Sequence, residues 1–150
     1  MTTLTRTDKL NTTHTKHVAL EGRNVNAATL RSVRNGILGI SQGMLAGWLG
    51  IASTSIASWE SGLRPFPDKR AKQVESLVDT SESFSGSLVM DGLSSSDSPF
   101  EIVTYATDEA LWSAIPEFDG VPCGVHLAAV ARAWSRLRSN GVDVVIVAAE

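Results

Sequence analysis

Between residues 27 and 79 the apolar positions recur every three or four residues, and glycine or proline breaks the pattern at short intervals. That spacing predicts a series of short amphipathic helices. Leu30, Val33 and Ile37 line one face of a helix over about 27–37, with Asn26 placed to cap it. Met44, Leu45, Trp48 and Leu49 repeat the spacing after Ser41, another capping residue, and Gly50 suits a left-handed turn at the end of that helix. Ile56 and Trp59 mark a third helix, whose other positions Ser53, Thr54, Ala57 and Ser58 are small and neutral. A fourth helix is expected after Pro67, with Val74, Leu77 and Val78 on its apolar side.

The pattern changes after residue 79. Residues 80–99 are dense in serine and glycine and read as a flexible linker, interrupted only by Leu88-Val89-Met90. Phe100 to Tyr105 suit a strand. Thr107 or Asp108 then caps a short helix over Glu109–Ile115, which Pro116 ends, and 116–122 read as a loop. A longer helix is expected over Gly124–Asn140, with Leu127, Val130, Ala131, Trp134 and Leu137 on one face. Asn140-Gly141 stops it, and Val142 to Ala148 form a second strand. The predicted class is α+β: an all-α domain of four to five helices (27–79), preceded by a basic arm (1–26) and joined through the linker (80–99) to a small α+β unit (100–150). Two strands make a marginal sheet alone, so edge pairing between two identical chains, a homodimer through 100–150, is expected.

Two short helices hinged at Gly50 have the skeleton of a helix-turn-helix. At Ser41, Gln42, Leu45, Ala46, Leu49, Gly50, Ile51, Ile56, Trp59, Glu60 and Gly62 the chain resembles the XRE-like family of Cro and lambda-repressor type over roughly residues 28–79. The resemblance implies that Gln42 donates to a phosphate with Ser41 at the same helix start, and that Ser53, Thr54, Ala57 and Ser58 face base edges in a major groove. Arg64, Lys69 and Arg70 suit phosphate contacts beyond them. The family pairs Glu60 with an arginine of the first helix. Arg34 is the natural partner, but it lies one residue farther from Ser41 than the family spacing, so the first helix is expected to end early or bulge within Asn35-Gly36-Ile37-Leu38. The C-terminal half weakly resembles the dimerisation tail of short anti-CRISPR-associated regulators, at Tyr105, Asp108, Trp112, His126, Ala128 and Ala129.

Net charge of −3 is unusual for a nucleic-acid binder, but the charge is divided along the chain. Residues 1–78 hold ten Lys and Arg against five Asp and Glu, and residues 79–150 hold three against eleven, so a basic half adjoins an acidic one. Arg6, Lys9, Lys16 and Arg23 of the arm can track phosphates or simply be solvated. The acidic half offers a surface for a protein partner. A hydrophobic share of 43% is enough for a packed core. One cysteine, Cys123, excludes an internal disulfide, and with no apolar run of membrane-span length or signal-peptide core the expected compartment is the cytoplasm, with no membrane partner.

Catalysis is not expected. Cys123 and His126 are spaced as Cys-x-x-His, but no second ligand pair follows, and His14 and His17 lie in another segment, so neither a metal nor a cofactor is expected. Trp48 and Trp59 are either core residues or stacking platforms for single-stranded nucleic acid. The expected function is a dimeric transcriptional regulator, a repressor that binds an inverted repeat in double-stranded DNA. The alternatives are an antitoxin-type protein-binding module with an autoregulatory DNA-binding domain, and a single-stranded RNA binder.

Overall fold

Six α-helices and two strands follow one another through residues 27–150, the part of the chain that the computed structural model describes. The arm, with its cations, His14 and His17, and Asn26, expected to cap the first helix, lie outside the described residues. Helix α1 (Ala27–Val33) runs directly into a π-helical turn, Arg34–Leu38, which Gly39 closes at φ 63°. The extra residue before Ser41 is taken up there, because a π turn holds one more residue than an α turn. The first helix therefore bulges rather than ending early. Leu30 and Leu38 are fully buried, and Val33 and Ile37 pack against them.

Ser41 caps α2 (Gln42–Leu49): its Oγ accepts from the Met44 N–H at 3.1 Å. Gly50, at φ 72°, donates back to the Ala46 and Gly47 carbonyls and swings the chain into α3 (Ser53–Glu60). Leu45, Ala46, Leu49, Ile56 and Trp59 are buried between these helices and α1. Met44, expected on the inner face, is 45% exposed.

The largest departure from expectation is α4, which runs unbroken from Asp68 to Ser94. Residues 80–94, read from their composition as a flexible linker, are its second half. Its inward positions are Ala71, Val74, Leu77, Ser81, Ser85, Val89 and Gly92, spaced three or four apart. The serines and glycine there are not solvated spacer residues. They form a flat stripe that lets another helix come close. A Cβ added at Gly92 would lie 2.7 Å from both Leu137 methyl groups. Of the apolar trio expected to interrupt the linker, Val89 is buried and Met90 is 65% exposed.

The helix on that stripe is α6 (Cys123–Ser139). It buries Val125, His126, Ala129, Val130, Ala133 and Leu137, so its inner face is rotated from the expected one. Leu127 and Ala131 point outward, and Trp134 is half-buried with the Arg138 guanidinium 4.8 Å from its ring centre. Arg132 joins three elements. It donates to the Ile37 carbonyl (2.6 Å) and to the buried Ser81 Oγ (2.6 Å), and it pairs with Glu82 at 3.0 Å.

Between α4 and α6 the chain forms β1 (Phe100–Thr104), α5 (Asp108–Ala114) and a 3-10 turn at Pro116–Phe118. Thr107 caps α5 by accepting from the Ala110 N–H. Strand β2 (Val144–Ala148) pairs with β1 in parallel, Phe100 opposite Val144 and Thr104 opposite Ala148. The fold is therefore mainly helical α+β with one small parallel sheet. One core cluster draws Leu30, Leu45, Ile56 and Leu77 together with Leu111, Phe118, Val121 and Val125, so the segments on either side of residues 80–99 share an interior. Among the described residues, no helix is long and apolar enough to cross a membrane.

Gly39 shows how tightly α6 is seated. Its φ of 63° is in the left-handed region, and a Cβ would lie 2.9 Å from the Ala128 Cβ, an atom with no freedom to move aside. Gly39→Ala is expected to cost about 2 kcal/mol from backbone strain and overpacking together. Urea unfolding checks this; a loss under about 0.5 kcal/mol, the scale of an ordinary surface change, would show that the contact yields.

Candidate nucleic-acid interface

Helix α3 is held by its inner residues and leaves a small, neutral face outside. Ser53, Thr54 and Ala57 are exposed, and Ser58 is half-buried. The carbonyl of Ser58 is occupied, accepting from the Arg64 N–H at 3.2 Å and from the Ser61 hydroxyl. Ser55, also half-buried, accepts from the Arg64 guanidinium at 3.4 Å. Four residues named for base reading thus share one helix, and three of them are open to contact.

A buried ion pair fixes α3 against α1 and α2. Arg34 donates through Nε and Nη2 to the two oxygens of Glu60, at 2.6 and 3.0 Å, and both side chains are under 10% exposed. Two parallel bonds of this kind fix orientation as well as distance. Arg34 also donates to the Ile40 carbonyl at 2.9 Å. Gln42 Nε2 donates to Glu60 Oε1 at 2.9 Å, which leaves its second amide hydrogen for another acceptor. Burial pushes the Glu60 carboxyl up, but the hydrogen bonds from Arg34 and Gln42 and the charges of Arg34 and Arg31 outweigh it and hold the group below its ordinary value. The bond to Glu60 raises the Arg34 guanidinium against the opposing effect of burial.

The remaining named residues divide by what they already hold. Ser41 Oγ accepts from the Met44 N–H, a bond that does not use its own O–H proton. Arg70 donates to the Leu49 carbonyl at 3.3 Å and to Gln73 at 3.0 Å, so it tethers the end of α2 to α4. Lys69 is exposed one residue away. Two open hollows flank the start of α2. One, of about 660 Å³, is lined by Asn35, Gly39, Gln42, Gly43 and Ser53 among others; the second, of about 300 Å³, reaches Arg31, Asn35, Gln42 and Ala57. Arg31 and Asn35 were not singled out from the sequence. Arg31 and Asn35 are four residues apart, the spacing that puts two residues on one face of a helical stretch, and that was the available sign.

Both tryptophans serve the interior. Trp59 is 7% exposed with its ring 5.0 Å from that of Phe66, and Trp48 packs half-buried on the same cluster. Cys123 and His126 sit in different surroundings. The Cys123 N–H donates to Asp108 Oδ1 at 2.7 Å, and burial followed by the neighbouring Asp108 pushes its thiol up. His126 is 1% exposed, with the rings of Phe84, Phe118 and Tyr105 at 5.0, 5.3 and 5.7 Å. Neither of its ring nitrogens has a hydrogen-bond partner, and burial lowers its pKa to about 4. Among the described residues, no group of three His, Cys, Asp or Glu side chains is placed to hold a metal ion.

A further groove, of about 530 Å³, lies between α4 and the 3-10 turn. Phe84, Leu88 and Phe118 are apolar parts of its lining, and Asp79, Asp91 and Glu117 contribute negative charge. No family model and no curated protein matches the chain.

Proposed function

We propose that the protein is a sequence-specific double-stranded DNA-binding regulator, in which α2 and α3 act as a helix-turn-helix of the XRE-like type and two copies bind an inverted repeat as a repressor. The observation that carries this reading is the outer face of α3. Ser53, Thr54 and Ala57 are small, neutral and exposed on a helix whose other side is clamped by the Arg34–Glu60 pair. Such a face can approach base edges closely without stranding a charge. Gln42, with one amide hydrogen still available, and exposed Arg31 and Lys69 supply phosphate contacts on the basic half of the chain. Arg70 contributes by holding α4 to α2. With one reader per half-site, half-site centres lie about 34 Å apart or at a multiple of that distance.

Serine and threonine hydroxyls both donate and accept, so their contribution to specificity is modest. The double variant Thr54→Ala, Ser58→Ala is expected to bind the chain's own upstream DNA roughly tenfold more weakly, with its affinity for random duplex unchanged. Titration across a salt series checks this. Equal binding of both proteins to every duplex would reduce the reading to a basic surface. An antitoxin-type role is the second reading, favoured by the acidic, aromatic-floored groove at Phe84 and Phe118; binding of a basic protein there with no DNA binding would select it.

A further inference from the structure

Only two strands are present among the described residues, so each has an unpaired edge. The two edges are not alike. Strand β1 follows Pro99 and carries Glu101 in its second position, features that discourage further pairing. Strand β2 reads Val-Val-Ile-Val-Ala, with no charge, proline or glycine, and Ile146 at its centre is 39% exposed.

The hydrogen bonds at the two ends of the ladder fix which way each residue of β2 faces. The Phe100 N–H donates to the Asp143 carbonyl, and the Ala149 N–H donates to the Thr104 carbonyl, both at 2.8 Å. Odd-numbered residues from 143 to 149 thus turn their backbone groups toward β1. Val144, Ile146 and Ala148 turn theirs outward. These three positions are symmetric about Ile146. A second copy laid antiparallel on this edge, with its two-fold axis at Ile146, satisfies all of them: Ile146 exchanges two bonds with its counterpart, and Val144 pairs with Ala148 at either end. Sliding the copy by two residues loses two of the six bonds.

We propose that two copies of this chain associate through their β2 edges, antiparallel and in register at Ile146, giving one four-stranded sheet of order β1-β2-β2-β1. The proposal rests on the reading of residues 100–150 as the dimerising part and names its contact. A five-residue strand is only about 17 Å long, so this contact is far smaller than the ~1,200–2,000 Å² of a stable interface. The pairing is therefore weak in free solution and becomes dominant when two readers are held on adjacent half-sites, where the effective concentration is high.

Cysteine cross-linking of the full chain tests the register. In a Cys123→Ala background, Ile146→Cys is expected to form a disulfide dimer in a glutathione buffer, because its Cα would lie about 5.5 Å from its counterpart. Val144→Cys alone is expected not to cross-link, yet to do so when mixed with Ala148→Cys. Glu101→Cys, on the other edge, is the control. Folded Ile146→Cys protein that stays monomeric both with and without its upstream DNA overturns the pairing, as does cross-linking at Glu101→Cys to the same extent. Ile146 dimers from a protein that binds no DNA would sustain the pairing and remove the DNA reading. Tight DNA binding with no Ile146 dimer would do the reverse.

Discussion

Glu60→Ala is expected to lower the unfolding free energy by about 3 kcal/mol, the lower end of what removing one partner of a buried ion pair costs. The carboxylate receives both hydrogen bonds of the Arg34 fork and one from Gln42. Without it, Arg34 keeps a buried charge, 7% exposed, with only the Asn35 and Ile40 oxygens to accept from it. The low end applies because the pair lies close beneath the surface, where water can reach a vacated site. Urea unfolding of both proteins at neutral pH measures the difference. A loss below about 1 kcal/mol would mean that the pair is no stronger than an exposed one. Since the same carboxylate positions α3, DNA affinity should fall more than stability alone explains if the proposed function holds.

The second large effect is a dependence on pH centred on His126. Free histidine takes up a proton near 6.5, whereas His126 in the folded protein resists it until about 4, because the charged ring would be enclosed by Phe84, Tyr105 and Phe118 without a hydrogen-bond partner. Its lowered value means that the unfolded chain binds the extra proton first. Stability is then complete above about 6.5 and is lost as pH falls from there toward 4. Across that window the loss approaches about 3 kcal/mol. Glu60 adds its own loss only from the ordinary carboxylate value downward, so most of the His126 window lies above it. Urea midpoints at pH 7.5 and 4.5 should differ strongly for the natural protein and little for His126→Leu. Equal slopes for both would assign the acid sensitivity elsewhere.

The first half of the described chain was legible because its boundaries are written in residues with one structural use. Ser41 and Gly50 announce the two ends of α2, and Ile56 and Trp59 announce the inner side of α3. The register problem at Arg34 was legible too, since one surplus residue had to go somewhere, and the π turn at 34–38 takes it while the pair with Glu60 is kept. Residues 80–94 failed for the opposite reason. Hydrophobic periodicity detects large side chains, and α4 buries small Ser81 and Ser85 together with Gly92, where a Cβ would run into Leu137 of α6. The inner face of α6 was misjudged for the same cause: Ala129 and Ala133 are its contact residues, and large Leu127 is outside. Arg132, which bonds to both Ile37 and Ser81, gave no local signal, because its partners are 95 and 51 residues away.

The continuity of α4 has a consequence for how such a chain can change. Two halves joined by a slack tether can be cut apart, exchanged or lengthened with little penalty to either side. Here a rod about 40 Å long belongs to both. One inserted residue in its middle would turn everything beyond it by about 100°, taking Ser81, Ser85 and Gly92 off the surface of α6 together. The two ends are thus geared to each other. Variation in this lineage is expected in the loops at 61–67 and 95–99 rather than along the rod, and swaps of whole halves between relatives should yield chains that do not close.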